Sequence, residues 1–217
     1  MAAVVKIVKV DVEQPRADVV REAVELIRHG GVIGYPTETA YGLGADAMNG
    51  DARERIFAMK GRGRDKALPI IVSDLDQLAA ICHPIPRMVH VLAARFWPGP
   101  LTLVVPLRSE LREGFGGGTS IAVRVSGLTL ARELARVSRC CLTATSANRS
   151  GGEPARNAGQ VLATFGDALD LVLDGGEVSG LAPSTIVDLI GETPRLLRAG
   201  PVHFDEILQA LRSEAAP

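Results

Sequence analysis

The sequence of 217 residues has few aromatic residues, no marked excess of charge of either sign and no long apolar run. One Trp, two Tyr and five Phe supply little of the stacking surface on which single-stranded nucleic acid binds. The net charge of −1 provides no overall attraction to nucleic acid or to an anionic membrane. No apolar run approaches the roughly 20 residues that a membrane-spanning helix needs. We therefore expect neither an aromatic-rich RNA-binding protein nor a membrane protein, and any anion site must be local.

Cysteine is also scarce, since the chain contains only Cys82, Cys140 and Cys141. Three cysteines are an odd number, and they lack the paired spacing of zinc ligands. In a chain of this size they favour neither a disulfide framework nor a zinc site. Residues 1–12 alternate apolar and polar positions and lack the apolar block of a secretory signal. The sequence therefore predicts a protein of the reducing cytoplasm.

The remaining composition, 47% hydrophobic and 23% charged, is that of a globular chain. Apolar periodicity predicts strands and helices that alternate, which is typical of an α/β fold. The predicted helices lie near residues 19–27, 51–59, 74–82, 86–96, 128–138, 156–165 and 204–213. The predicted strands lie near 1–12, 32–35, 68–72, 101–105, 121–125, 140–144, 169–173 and 185–189, and residues 36–44 are predicted to form a polar loop. Because no repeat or linker marks a boundary, we expect one domain built on a twisted mixed sheet.

Familiar catalytic motifs are missing. The chain has no GxxxxGK[ST] phosphate loop, no GxSxG elbow and no HExxH zinc motif. Gly42-Leu43-Gly44 begins a GxGxxA pattern, but it starts too far from the preceding strand and lacks the acidic residue about 20 positions later. The four His residues are scattered, so we expect no metal-binding side-chain cluster.

A basic segment follows the helix near 51–59. Lys60, Arg62, Arg64 and Lys66 alternate with other residues, two of them glycine, and in an extended chain they would project from one side. Such a cluster matches a polyphosphate, whose oxygens accept paired hydrogen bonds from guanidinium groups. A solvated basic loop is an equally good interpretation of the segment alone.

The strand near residues 121–125 carries an arginine at mid-length. Period two places Ile121, Val123 and Val125 on one face, and Ser120 and Arg124 on the other face. An arginine in this position needs an anion, which is either a ligand or a buried carboxylate of the protein.

Hydroxyl and amide side chains stand at the ends of other apolar strands. Ser146 and Asn148 follow the strand near 140–144, Ser184 precedes the strand near 185–189, and Arg198 is a further arginine at a strand edge. Each group alone is more often a turn or a helix cap. Together they are typical of a ligand crevice at the edge of an open α/β sheet.

Seven segments of the chain, taken in order, resemble the motifs of the YrdC-like family. They are GGVIGYPTETAYGLGADA (30–47), KGR followed by Pro69 (60–69), FWPGPLTLVV (96–105), SIAVRV (120–125), TSANRSG (145–151), STIVDL (184–189) and LLRAGPV (196–202). The resemblance implies a single catalytic domain over 1–217, with a core of about 4–212 and an open, positively lined cavity. It also implies the short form of the family, without an extra C-terminal domain.

The resemblance also implies a role for individual residues. The positions that match ATP contacts are Lys60, Arg62, Arg64, Ser120, Ser146, Asn148 and Arg198, with Lys66 as a further candidate. The positions that match threonine contacts are Thr37, Tyr41, Arg124 and Ser184. Lys60 and Arg62 are the residues expected to act in catalysis. Mg²⁺ is the expected cofactor, held mainly by the phosphates of ATP, and no metal-ligating side chain is expected.

The reaction implied by the resemblance joins L-threonine, bicarbonate or carbon dioxide, and ATP into threonylcarbamoyl-AMP and pyrophosphate. The product would pass to the machinery that modifies tRNA, with direct tRNA contact left open. In such a reaction the substrate supplies the nucleophile, which agrees with the missing catalytic motifs. Three alternatives remain: a non-catalytic RNA-binding relative, a nucleotide hydrolase and a carbamoyl-adenylate-forming unit.

Overall fold

Helices and strands alternate along the chain, as the sequence predicts. The computed structural model describes residues 5–63, 67–178 and 182–213. Its helices are α1 (Ala17–Arg28), α2 (Gly50–Lys60), α3 (Leu75–Ala79), α4 (Arg87–Phe96), α5 (Thr129–Ser138), α6 (Ala158–Phe165) and α7 (Phe204–Ser213). Its strands are β1 (Lys6–Lys9), β2 (Ile33–Pro36), β3 (Tyr41–Gly44), β4 (Ile70–Ile71), β5 (Leu101–Pro106), β6 (Ser120–Arg124), β7 (Leu142–Thr143), β8 (Thr145–Ser146), β9 (Leu171–Asp174), β10 (Thr185–Asp188) and β11 (Arg195–Arg198). The α/β class is confirmed.

The strands form two mixed sheets. The first sheet has the order β1-β9-β2-β3-β8, in which β1, β9 and β2 are parallel and the remaining pairs are antiparallel. The second sheet has the order β11-β10-β5-β6-β4-β7, in which β10 runs parallel to β5 and β6 runs parallel to β4. The chain passes from the second sheet to the first between β7 and β8, with only Ala144 between them.

Helices cover both faces of the first sheet. On one face, α1 and α5 pack against the sheet because each has an apolar stripe at helical spacing, which in α1 contains Val20, Val24 and Ile27. On the other face, α2 contributes Ile56 and α6 contributes Val161 to a separate core. No helix in the described ranges has the length and apolar character that a membrane crossing requires.

The second sheet buries one face against α3, α4 and α7. Leu101 and Leu103 of β5, Val123 of β6 and Val187 of β10 all enter this core, together with Leu92 of α4. These strand residues are two apart within β5, as expected for one face of a strand. The opposite face of these strands carries the alternate residues, among them Thr102 of β5 and Ser120 and Arg124 of β6, which belong to the candidate site.

Three short strands, β3, β8 and β11, were not expected. Residues 36–44 were predicted to be a loop, but Tyr41–Gly44 forms β3, a central strand of the first sheet. Its glycines are required by packing, since a Cβ atom on Gly44 would lie 2.8 Å from the ring of Tyr35. The strand β11 was also missed, and it forms an exposed edge of the second sheet.

Candidate functional site

The candidate site begins on the polar face of the second sheet. In β6, Ile121 and Val123 enter the core, so Ser120, Ala122 and Arg124 lie on the opposite face. Ser120 and Ala122 are half-buried, while Arg124 is buried at the end of the strand. The alternation predicted for this strand is confirmed, and it places a cationic group beside an incompletely covered sheet surface.

Arg124 has a carboxylate partner within the protein. Its Nη1 atom lies 3.1 Å from Oε1 of Glu38, and only 7% and 13% of the two side chains are exposed. Ser126 donates a hydrogen bond of 2.5 Å to the other oxygen of Glu38. Arg124 also donates to the hydroxyl of Thr39 over 3.5 Å. The carboxylate that the sequence left as one possible partner of Arg124 is therefore present.

Thr37 lies in the tight turn between β2 and β3, residues 37–40, which we call the Thr37 turn. Its hydroxyl donates to the main-chain oxygen of Ala40 over 2.7 Å and lies 3.0 Å from the hydroxyl of Thr39. The main-chain nitrogen of Ala40 donates back to it over 3.3 Å. Such contacts are typical of a threonine that stabilises a turn. The contacts of Glu38 and Thr39 with Arg124 hold the Thr37 turn against the end of β6.

Ser184 and Arg198 meet beside Thr102 on the same polar face. The hydroxyls of Ser184 and Thr102 lie 2.8 Å apart and are buried. The Arg198 guanidinium donates to the main-chain oxygen of Ser184 over 2.8 Å and to its hydroxyl over 3.0 Å. Burial lowers the pKa of Arg198, and the positive charge of Arg124 lowers this pKa further. The two guanidinium groups therefore lie near enough for their charges to interact, and an anion bound near both would be stabilised.

Lys60 ends α2 with its side chain buried. Only 3% of the residue is exposed, and its Nζ atom donates to the main-chain oxygens of Ser146 and Asn148. Burial lowers the pKa of Lys60 to about 8, and the neighbouring charge of Arg62 adds to the shift. The prediction of an extended chain is wrong at Lys60, because the helix continues to this residue. It ends at Gly61, whose φ of 58° is the left-handed conformation of a glycine cap.

The turn of residues 146–148, which we call the Ser146 turn, lies against Lys60. The Ser146 hydroxyl donates to the side-chain oxygen of Asn148 over 2.5 Å. The Asn148 amide group then donates to the main-chain oxygens of Arg149 and Gly152 over 2.8 and 2.7 Å. The Asn148 amide thus stabilises the turn through hydrogen bonds, and the buried ammonium group of Lys60 places a positive charge beside it.

The other predicted residues occupy different environments. Tyr41 is fully buried, and its hydroxyl donates to the main-chain oxygen of Gly176 over 2.7 Å. Burial raises the pKa of Tyr41 to about 12, so this phenol is neutral. Arg62 is half-buried and donates to the main-chain oxygen of Ala67 over 3.1 Å.

Arg64 and Lys66 lie outside the described residues. Whether they lie beside Lys60 and Arg62 therefore stays a prediction.

The structure thus collects the predicted residues into two groups. Arg124, Thr37, Ser184 and Arg198 belong to the polar end of the second sheet and the turn beside it. The second group, Lys60 with the Ser146 turn, is attached to the first sheet, where Ser146 pairs with Gly42 of β3. Because the Thr37 turn leads directly into β3, one short segment of chain connects the two groups.

Sequence reasoning missed four residues of this network. Glu38 and Thr39 contact Arg124, Ser126 supports Glu38, and Thr102 supports Ser184. Only Glu38 had a signal, since an arginine in a strand requires a carboxylate or a ligand. Most of these partners lie far apart in the sequence, so no local sequence pattern predicts their contacts.

The donor chemistry of the site is basic and hydroxyl-rich. In residues 5–63, 67–178 and 182–213, no three His, Cys, Asp or Glu side chains lie close enough to hold a metal ion. The carboxylate at the site, Glu38, is paired with Arg124. Such a surface suits anions with several oxygens, including carboxylates and phosphates.

Two cavities of the structure lie outside these groups. One of about 410 Å³ lies at the ends of β1 and β9, and one of about 380 Å³ lies between α4 and α7. Neither is lined by a residue that the sequence assigns to a ligand. We place the candidate site by its side-chain chemistry, because open polar clefts bind anions through converging charges rather than through enclosure.

The fold and site define an α/β protein with a basic, hydroxyl-rich surface for an anionic substrate. The chain matches the family model Sua5_yciO_yrdC, described as "Telomere recombination", over residues 25–200. The chain therefore belongs to the Sua5/YciO/YrdC family.

Relatives with a described activity agree with this membership. Threonylcarbamoyl-AMP synthase of Pyrococcus abyssi is 40% identical over 190 residues, which are 87% of this chain and 56% of that protein. The protein of the same name from Chromohalobacter salexigens is 41% identical over 184 residues, which are 84% of this chain and 99% of that protein. The crystal structure of P. abyssi Sua5 complexed with L-threonine superimposes with a TM-score of 0.88 at 38% identity, covering 94% of this chain and 60% of that one. The chain thus spans little more than half of the P. abyssi protein.

Proposed function

We propose that the chain is a threonylcarbamoyl-AMP synthase, which converts L-threonine, bicarbonate or carbon dioxide, and ATP into threonylcarbamoyl-AMP and pyrophosphate. The observation that carries the proposal is the meeting of Arg198 and Ser184 beside the buried Arg124. This arrangement offers two cations and a hydroxyl to substrates that bring a carboxylate and a triphosphate. Synthases of similar length, such as that of C. salexigens, support the assignment for a chain of this extent.

The amino-acid substrate is assigned to the first group of residues. Arg124 would receive the carboxylate of threonine, because a guanidinium binds a carboxylate with two parallel hydrogen bonds. Ser184 and the Thr37 turn would face the rest of the amino acid, with Tyr41 supporting the neighbouring main chain. The relative crystallised with L-threonine supports threonine as the amino acid.

ATP is assigned to the second group and to Arg198. Lys60, Arg62 and Arg198 would neutralise the triphosphate, and Ser120, Ser146 and Asn148 would supply hydroxyl and amide contacts. We include Arg64 in this set because it belongs to the same basic segment. Lys60 and Arg62 would act in catalysis by stabilising the charge that develops as pyrophosphate leaves.

The chemistry needs no covalent intermediate with the protein. The neutral amine of threonine attacks carbon dioxide, loses a proton and becomes a carbamate. A carbamate oxygen then attacks the α-phosphorus of ATP, the bond to the β-phosphate oxygen breaks, and pyrophosphate leaves. Such a sequence depends on holding the reacting groups in line and on balancing their charges.

Mg²⁺ is part of the proposal as a companion of ATP. The described part of the chain offers no group of three metal-ligating side chains, and the site is lined with cations and hydroxyls. These residues do not form a metal cage of their own, so the ion would be held through phosphate oxygens, as Mg²⁺ in nucleotide sites commonly is.

The test is to incubate the pure protein with ATP, Mg²⁺, bicarbonate and threonine and to measure pyrophosphate. We expect release only when all substrates are present, with threonylcarbamoyl-AMP detected by mass spectrometry. Pyrophosphate or phosphate release without threonine would instead identify a nucleotide hydrolase. Product formed from carbamoyl phosphate, and not from threonine, would identify a carbamoyl-adenylate-forming unit.

The dependence of binding affinity on salt concentration distinguishes the RNA-binding alternative from the synthase. Binding of RNA through phosphates weakens steeply with the logarithm of the salt concentration, whereas threonine binding should change little. Tight, salt-dependent RNA binding without threonine-dependent turnover would favour that alternative. Delivery of the product to the tRNA-modifying machinery and a cytoplasmic location belong to the same proposal, and cell fractionation tests the location.

A further inference from the structure

Glu38 is not among the residues to which the sequence assigns a role. This carboxylate lies in the Thr37 turn and contacts Arg124 across the gap between the first-sheet hairpin and β6. Both side chains are largely buried, at 13% and 7% exposure. A buried guanidinium is stable only with a partner, and removal of one member of such a pair leaves the other charge uncompensated.

Glu38 is itself held from the side away from Arg124. The Ser126 hydroxyl donates to its second oxygen over 2.5 Å. Gly127 packs beside this side chain, since a Cβ atom there would lie at van der Waals distance, 3.4 Å, from Cγ of Glu38. Arg132 fixes this support by donating to the main-chain oxygens of Ser126 and Gly127, each over 2.7 Å. The carboxylate therefore has a defined place that does not depend on Arg124.

The charges around Arg124 let the Glu38 carboxylate orient the Arg124 guanidinium. Arg198 lies close enough to Arg124 for the two positive charges to repel each other, as the lowered pKa of Arg198 indicates. Glu38 attracts the Nη1 end of Arg124, and Thr39 accepts a hydrogen bond from the same atom. One end of the guanidinium is thus occupied by the Thr37 turn. A guanidinium has five N–H donors, and within the described residues the side-chain contacts of Arg124 all involve Nη1, so the remaining donors would serve a second anion.

We infer that Glu38 is a positioning residue for the amino-acid substrate, which it serves by anchoring one end of Arg124 so that the other end binds the substrate's carboxylate. This inference rests on the proposed function, because it takes threonine as the ligand of Arg124. It goes further in separating two tasks within the buried pair. Arg124 touches the substrate, and Glu38 acts only through Arg124.

A merely structural ion pair makes a different prediction. If Glu38 only stabilised the fold, its replacement would lower stability and reduce the amount of active protein, with both Michaelis constants unchanged. If Glu38 positions Arg124, the loss falls on threonine binding and leaves ATP binding nearly unchanged. The split between the two Michaelis constants therefore distinguishes the roles.

The experiment compares Glu38→Gln, Glu38→Asp and Ser126→Ala with the unaltered protein. Glu38→Gln keeps the shape and removes the charge, and we expect the KM for threonine to rise about tenfold or more while the KM for ATP stays within about twofold. Glu38→Asp keeps the charge and should recover part of this loss. The matched control is Glu133→Gln, which removes the exposed ion pair with Arg136 and should change neither constant.

Two further readouts keep the inference open to refutation. Thermal unfolding of each variant shows whether it folds, and if Glu38→Gln does not, Ser126→Ala tests the same link with an expected rise of roughly threefold in the threonine KM. An unchanged threonine KM in a folded Glu38→Gln protein, or equal changes in both constants, overturns the inference alone. An unaltered protein that shows no threonine-dependent pyrophosphate release overturns the proposed function and the inference with it.

Discussion

The Nζ atom of Lys60 lies 2.8 Å from the main-chain oxygen of Asn148, and this contact joins the end of α2 to the Ser146 turn. The Ser146 carbonyl accepts a second hydrogen bond from the same ammonium group. The two acceptors take two of the three protons on Nζ, and the third has no acceptor among the described residues, so it would serve a ligand. A charge in this place binds phosphate only while the amine is protonated.

Alkaline pH should therefore weaken ATP use. Burial lowers the pKa of Lys60 from 10.5 to about 8, so the free protein loses this charge as the pH rises through 8. We expect kcat/KM for ATP, measured at saturating threonine, to fall above about pH 8. In a Lys60→Arg variant with residual activity the fall should disappear, because arginine stays charged. The same alkaline fall in that variant would assign the titration to another group.

Arg198 and Arg195 offer a matched pair on one strand. Arg198→Ala removes a guanidinium that contacts Ser184, whereas Arg195→Ala removes an exposed ion pair with Asp188. Loss of a charged hydrogen bond costs about 1.5–3 kcal/mol, which is roughly 10- to 150-fold in kcat/KM for ATP. We expect this loss for Arg198→Ala and less than about a twofold change for Arg195→Ala. Steady-state pyrophosphate release measures both, and equal effects would place the ATP site elsewhere.

Amino-acid choice should follow the order threonine, serine, valine. Serine lacks one methyl group, so a pocket fitted to threonine should disfavour it by only roughly 10- to 200-fold. Valine keeps the shape but has no hydroxyl, so it cannot join the buried hydrogen-bond network of the Ser184 and Thr102 hydroxyls, as the threonine side chain would. Rejection by about 10⁴-fold or more is then expected. Competition assays with the three amino acids test the order, and valine used as rapidly as serine would contradict it.

Gly200 should tolerate no side chain. A Cβ atom there would lie 2.4 Å from both the main-chain oxygen of Pro183 and the main-chain nitrogen of Thr185. Gly200→Ala must therefore shift backbone beside Ser184, and we expect a loss of about 1–3 kcal/mol in the free energy of unfolding. Gly191 has no atom within 4 Å of such a Cβ and is the control. Urea unfolding of both variants measures the difference, which should be near zero for Gly191→Ala.

Some of this architecture is visible in the sequence because it depends on local periodicity. The alternation of Ile121 and Val123 with Ser120 and Arg124 predicted which face of β6 is buried. In contrast, β3 was missed because its glycines resemble a loop. Their small size is needed only once the Tyr35 ring packs over them, which is a tertiary contact.

The partners within the site were hidden for the same reason. Glu38 meets Arg124 through a contact between a hairpin of one sheet and a strand of the other. No spacing rule connects such positions. The predicted extended form of the basic segment failed at Lys60 because the stop signal, Gly61, lies just after it and lets the helix continue to that residue.

The segment that leads from β7 to β8 is bonded to both sheets. Thr143 belongs to the second sheet, yet its hydroxyl and main chain bond to Leu43 and Ala45 beside the first sheet. Two residues later, Thr145 pairs with β3. We therefore expect a ligand bound at the Ser146 turn to restrict local opening in both sheets. The amide protons around Thr143 should then exchange with deuterium more slowly when the ligand is bound.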